Sequence, residues 1–174
     1  MDTMSQAFKI GLFSKRKDYQ GVIKLISDII VNEFKFKLEY EGLDSDLLQI
    51  EKHYSKSDGG SFWVTEMSSR NNKSNNSYSQ IVATIAIRNL KHLECTCELK
   101  RMYVLKRFRR IGIGRRMLNI ATDFARNAGY SRIVLDSSKN LDAARALYLN
   151  AGFVDIPRYN DNYRADVFME RRLK

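Results

Sequence analysis

Ile113, Met117, Ile120, Ala121, Phe124 and Ala128 recur at the spacing of one helix face, which predicts a helix over 112–128 ended by Gly129. Immediately before it, 98–104 reads as a strand, joined to the helix by a short basic turn. Phe8, Ile10 and Leu12 alternate with Lys9 and Gly11, the pattern of a first strand with one buried face. Asp18 is placed to cap a helix whose inner face carries Val22, Leu25, Ile26, Ile29 and Ile30. A shorter helix starts near Asp44 or Ser45, with Leu47, Leu48 and Ile50 apolar. Further strands are expected at 62–67, 81–87 and 133–136. Asp58-Gly59-Gly60 and 92–95 mark turns, and the polar stretch 68–79 reads as a solvent loop. A helix over 143–151 stops at Gly152, and strands at 153–156 and 165–171 complete the sheet. The pattern is α/β, and 174 residues without an internal repeat amount to a single domain spanning 1–174.

Composition adds an ordered chain: 44% of residues are hydrophobic and only one is proline. A net charge of +10 calls for an anionic partner, either nucleic acid or a phosphate-rich cofactor. Lys100, Arg101, Lys106, Arg107, Arg109, Arg110, Arg115 and Arg116 crowd one turn with no acid among them. That clustering favours the cofactor over nucleic acid, whose binding faces spread charge along a stripe. Cys95 and Cys97 are too close for an ordinary disulfide and read as two half-buried strand residues in a reducing compartment. With His92 they fall short of four zinc ligands, so no metal is expected. No apolar leader and no run of membrane-spanning length is present, so the expected location is cytoplasmic, off the membrane.

The basic turn meets a helix start, where unpaired N–H groups and a partial positive charge favour anions. Gly112 and Gly114 let a phosphate oxygen approach the main chain without meeting a Cβ. The plainer alternative is a solvated basic loop whose glycines only permit the turn. A P-loop is excluded because no Gly-x-x-x-x-Gly-Lys-[Ser/Thr] run exists. A dinucleotide fold is disfavoured too. Asp136 ends a strand about where a ribose-binding acid would, but Met117 stands where the third glycine belongs. Too little chain follows Asp136 for a doubly wound sheet.

Arg109-x-x-Gly112-x-Gly114 resembles the acetyl-CoA-binding motif of the GNAT superfamily of N-acetyltransferases. Ala143-Ala144-Arg145-Ala146-Leu147-Tyr148-Leu149-Asn150-Ala151-Gly152-Phe153 resembles that family's second signature. The resemblance implies a GNAT-like fold: a mixed, mostly antiparallel central sheet of about six or seven strands flanked by about four helices. It implies acetyl-CoA as co-substrate and a primary amine acceptor, small molecule or peptide, attacking directly in a ternary complex. Met102, Tyr103 and Val104 would bond the pantetheine arm, with the Val104 N–H on the thioester carbonyl. Arg109, Arg110, Ile111, Gly112, Ile113, Gly114 and Arg115 would hold the pyrophosphate.

In the same resemblance Tyr148 is the general acid and Glu98 the general base. Each has a structural alternative: Tyr148 as a packing residue, Glu98 as an ion-pair partner of Lys100 or Arg101. Many family members carry Asn where this chain has Leu141, so the second half of the CoA site departs from the pattern. Tyr159, Asn162, Tyr163 and Arg164 are candidate acceptor contacts, with Arg158 and Arg164 hinting at an acceptor carboxylate; a solvent-facing loop is the alternative. Phe34, Phe36, Tyr40 and Tyr54 are pocket candidates or simple core. Neither cysteine lies near the thioester position, so no acyl-enzyme is expected. The rival reading is a non-catalytic basic module that binds nucleic acid or senses CoA. A homodimer is compatible with either.

Overall fold

A computed structural model of the chain describes residues 5–70 and 77–173. The strands are β1 (Ser5–Leu12), β2 (Ser61–Arg70), β3 (Ser77–Asn89), β4 (Thr96–Val104), β5 (Arg132–Ser137), β6 (Val154–Asp155) and β7 (Val167–Arg172). They form one seven-stranded sheet in the order β1-β2-β3-β4-β5-β7-β6. Only β4 and β5 run parallel; every other neighbouring pair is antiparallel. The helices are α1 (Lys15–Ser27), α2 (Ile50–His53), α3 (Ile113–Asn127) and α4 (Asp142–Asn150), with a π-helical turn at Asp28–Glu33 and 3-10 turns at Ser45–Gln49, Lys56–Asp58 and Lys106–Phe108. The expected mixed, mostly antiparallel sheet with four helices is present.

Each face of the sheet has its own core. α3 and Tyr148 of α4 lie over one face, where Met117, Leu118 and Ala121 meet Ile85, Leu99, Ile133, Leu135 and Met169. α1, the π turn and α2 cover the other, where Val22, Leu25, Ile26, Ile29, Ile30, Leu47 and Ile50 meet Phe62, Val64 and Ala86. Each such Leu or Ile taken fully out of water contributes ~1.5–3 kcal/mol before entropy is charged against it.

Several local expectations differ from the structure. Ser14, not Asp18, is the N-cap of α1; Asp18 sits one turn in and its carboxylate accepts from the Ser14 N–H at 2.8 Å. Leu12 is 69% exposed because β1 is a sheet edge and its last residue lies beyond either core. Leu47 is buried and Leu48 exposed on the 3-10 turn Ser45–Gln49, which stands where an α-helix is expected, and Ile50 is buried as the first residue of α2. Residues 68–70 and 77–79 of the presumed loop belong to β2 and β3, paired across a hairpin; 71–76 lie outside the described residues. Cys97 is buried in β4, where burial pushes its thiol up to about 12, whereas Cys95 sits exposed in the preceding turn. Among the described residues no helix is long and apolar enough to cross a membrane.

Two irregularities of β4 open the sheet near its middle. First, its parallel pairing with β5 ends at Glu98↔Val134, so 99–104 and 135–137 diverge into an open wedge. Second, Arg101 and Met102 together oppose Ile85 of β3, a β-bulge, with Arg101 in the left-handed region at φ 52. For a residue bearing a Cβ that conformation costs ~1–2 kcal/mol.

Candidate active site

The bulge decides which way β4 presents its backbone. Before it, the Leu90 N–H bonds to Thr96 O at 3.0 Å, so residues 96, 98 and 100 direct their amides toward β3. After it, the Leu105 N–H bonds to Val82 O at 2.9 Å, which turns 103 and 105 toward β3 and Met102 and Val104 into the wedge. Of the three residues expected to bond pantetheine, Met102 and Val104 therefore present main-chain groups to the open side. The backbone of Tyr103 faces β3. Its ring instead packs toward the α1 side, 6.3 Å from Phe34, where burial outweighs the nearby Arg101 and raises its phenol above the ordinary value.

The wedge opens toward the start of α3. Gly112 is its N-cap at φ 87, and Arg110 also lies in the left-handed region at φ 64. Alternation of left- and right-handed residues curls successive N–H groups toward one point, a concave anion site. Among the described residues, the N–H groups of Arg110, Ile111, Gly112, Ile113, Gly114 and Arg115 have no acceptor; intrahelical bonding resumes with the Arg116 N–H on Gly112 O at 3.1 Å. A Cβ at Gly112 would meet nothing, so its positive φ is what requires glycine. At Gly114 a Cβ would come within 3.4 Å of Leu147 and 3.5 Å of Met102, where α3, α4 and β4 converge. Arg109 turns back: its guanidinium donates to Val104 O at 2.8 Å and to Glu33 at 2.7 Å.

Tyr148 is locked by the end of its own helix. Gly152, at φ 86, lets the Phe153 N–H return to Tyr148 O at 3.0 Å and the Gly152 N–H to Leu149 O at 2.9 Å. The Phe153 ring then packs 5.8 Å from the Tyr148 ring. Tyr148 is 5% exposed; its hydroxyl has no partner among the described residues and keeps a path to solvent. Burial, reinforced by Tyr103 and Asp136, raises the phenol above its ordinary value, so it stays protonated at neutral pH.

Glu98 lies at the apex of the wedge, fully buried. Its partners are neither Lys100 nor Arg101 at hydrogen-bonding distance. Arg88, directly opposite on β3, donates from Nε at 2.6 Å, and its Nη2 completes the ion pair 2.5 Å from the same carboxylate oxygen. Tyr159 O–H donates to its other oxygen at 2.8 Å, and Asn160 Nδ2 at 3.3 Å. Asn160 also reaches Asp136 at 2.7 Å, and Lys100 Nζ stands 3.6 Å from Asp136 and 3.9 Å from Glu98. Sequence alone does not mark Arg88 and Asn160 as site residues and offers Lys100 only as an ion-pair partner of Glu98, because strand register and the path of the last loop bring them together here. The carboxylate ending the 133–136 strand is the one available signal, and in sequence it suggests only a ribose ligand.

The remaining candidates form the rim. Asn162 braces the loop, its side chain accepting from the Arg164 N–H at 3.1 Å. Arg158 bonds Asn162 O and Ala165 O and stacks on Phe168 at 4.6 Å. Arg164 pairs with Asp44 at 2.9 Å and Glu39 at 2.8 Å and donates to Lys37 O, so the guanidinium expected to meet an acceptor carboxylate is already engaged. Tyr163 donates to Glu39 yet is 65% exposed. Tyr54 is core, donating to buried Asp46. Phe36 lies 5.3 Å beneath Arg164. Two open clefts, of about 600 and 320 Å³, flank α1, and neither is lined by Glu98, Tyr148 or the α3 start.

Comparison with known proteins identifies the family and the fold. The family model described as Acetyltransferase (GNAT) family matches residues 26–153, from the end of α1 to the residue that closes α4. N-acetyltransferase family 8 member 3 of Rattus norvegicus is 35% identical over 114 residues, which cover 64% of this chain and 46% of that protein. The chain thus spans about half the length of the curated relatives it matches. An acetyltransferase of the GNAT family from Staphylococcus aureus superposes with a TM-score of 0.80 at 28% identity, over 97% of this chain and 100% of that one. YncA from Salmonella typhimurium, solved with its cofactor acetyl-CoA, shares the fold at a TM-score of 0.69 and 18% identity, over 97% of this chain and 95% of that one. With its family model running from the end of α1 through α3 to Phe153, this chain belongs to the GNAT acetyltransferase family.

Proposed function

We propose that this chain transfers the acetyl group of acetyl-CoA to a primary amine by direct attack in a ternary complex. The observation that carries the reading is the run of acceptor-less N–H groups at 110–115 opening beside the wedge of β4 and β5. Donors so placed suit a diphosphate, and Arg110, Arg115 and Arg116 add positive charge. From there an extended pantetheine arm fits along β4, bonding Met102 and Val104 as one more strand would.

The Val104 N–H polarises the thioester carbonyl and stabilises the oxyanion as the amine nitrogen attacks. The new C–N bond forms, the C–S bond breaks, and Tyr148 gives its proton to the departing sulfur. The surplus amine proton leaves to the carboxylate pair at the apex. Glu98 is its buried member, Asp136 the member nearer the opening. Tyr159 and Asn160 hold the pair in place, while Tyr163 and Asn162 border the acceptor's approach. The two free cysteines fit a reducing compartment such as the cytoplasm.

The test is calorimetric titration with CoA followed by a panel of amines read by thiol release. Binding together with amine-dependent release supports the reading. Absence of binding at millimolar CoA refutes it. Binding without release for any amine favours a CoA-sensing module instead.

A further inference from the structure

Resting on that reading, we infer that Arg101 is a positioning residue: through Asp44 and Asp46 it holds the β4 bulge that turns the Val104 N–H toward the thioester. On one side of the bulge Lys100 opposes Ala86 and on the other Tyr103 opposes Thr84, so two residues of β4 span one of β3. Without that extra residue the Val104 amide would face β3, and the Tyr103 ring would turn to the opposite face of the sheet.

The conformation that creates the extra residue is the unfavourable one at Arg101, and two groups of bonds hold it. Thr84 Oγ1 donates to Arg101 O at 2.7 Å, fixing the main chain. The side chain, 5% exposed, donates from Nε to Asp46 at 2.9 Å, from Nη1 to Asp44 at 2.8 Å and from Nη2 to Leu43 O at 2.9 Å. A planar fork meeting two carboxylates and a carbonyl fixes direction as well as charge, which a lysine in its place would not. Asp44 is shared with Arg164 of the loop after β6, so the bulge and the acceptor rim hang on one buried carboxylate.

The test uses amide NMR spectra of the whole chain with acetyl-CoA and, separately, with CoA. In the unaltered protein acetyl-CoA moves the Val104 amide further than CoA does, because only the former brings a thioester carbonyl to it, while the 110–115 amides move alike with both. In Thr84→Val and Arg101→Lys the acetyl-dependent shift of Val104 falls by more than half, and the 110–115 shifts are kept. If Arg101→Lys fails to fold, Arg101→Met combined with Asp44→Asn and Asp46→Asn removes the orphaned charges. That variant should fold and lose the acetyl-dependent Val104 response. A full Val104 response in these variants overturns the inference, as does its absence from an unaltered protein whose 110–115 amides respond. No response at 110–115 overturns the cofactor reading first.

Discussion

Arg88 Nε lies 2.6 Å from Glu98 Oε2, joining two directly opposed residues of β3 and β4 beneath the wedge. The pair makes Glu98 a structural residue whatever else it does. Glu98→Gln leaves Arg88 without its counter-charge and should cost ~2–3 kcal/mol of stability together with activity. Urea denaturation beside thiol release measures both. An inactive variant of unchanged stability would mean that Glu98 acts only as a base.

Tyr148 gives the opposite pattern. Its hydroxyl has no partner among the described residues, so Tyr148→Phe should leave the melting temperature unchanged. Loss of the proton donor should lower kcat ~100-fold, with KM for acetyl-CoA little altered. Steady-state kinetics on the two proteins decides it; equal kcat values would reduce Tyr148 to packing.

Gly112→Ala isolates conformation from space, because the added Cβ meets no neighbour. Holding alanine at φ 87 costs ~1–2 kcal/mol, and relaxing the strain disperses the N–H groups aimed at the diphosphate. CoA affinity should fall ~10-fold or more in calorimetry while the fold persists. Unchanged affinity would remove the 110–115 amides from the binding site.

The Arg101 cluster predicts a pH response. Burial pushes the Asp46 carboxyl up, but the Arg101 hydrogen bonds and charge outweigh it and hold the group below the usual Asp value; Asp44 is likewise held down against burial by the Glu39 N–H and Arg101. A carboxyl depressed in the folded state contributes stability that is complete above its unfolded pKa of ~3.9 and is lost as pH falls through the folded value. Stability should therefore drop below about pH 4, and the drop should be shallower in Asp46→Asn. Thermal melts between neutral and acidic pH provide the comparison.

Local features are legible in the sequence. The apolar spacing of Ile113 and Met117 locates α3, and the Gly152-Phe153 pair that ends α4 is visible as a stop, although its role in locking Tyr148 emerges only from the return hydrogen bonds. Register is not legible. The Arg88–Glu98 pair depends on how a hairpin aligns, and the bulge at Arg101 depends on one extra residue that no periodicity marks. The buried stripe on α3 is rotated from the expected one for the same reason: Leu118, Thr122 and Ala125 are buried while Ala128 is exposed, because the sheet's position selects the inner face. For Arg164, charge alone points to an anionic acceptor, and charge does not reveal that Asp44 and Glu39 lie within reach.

The most direct measurement is a crystal structure of the protein grown with acetyl-CoA. The diphosphate should lie within hydrogen-bonding distance of the 110–115 amides, with the thioester carbonyl on the Val104 N–H and its sulfur near the Tyr148 hydroxyl. Density for the diphosphate anywhere else, with those amides still facing solvent, would contradict the account.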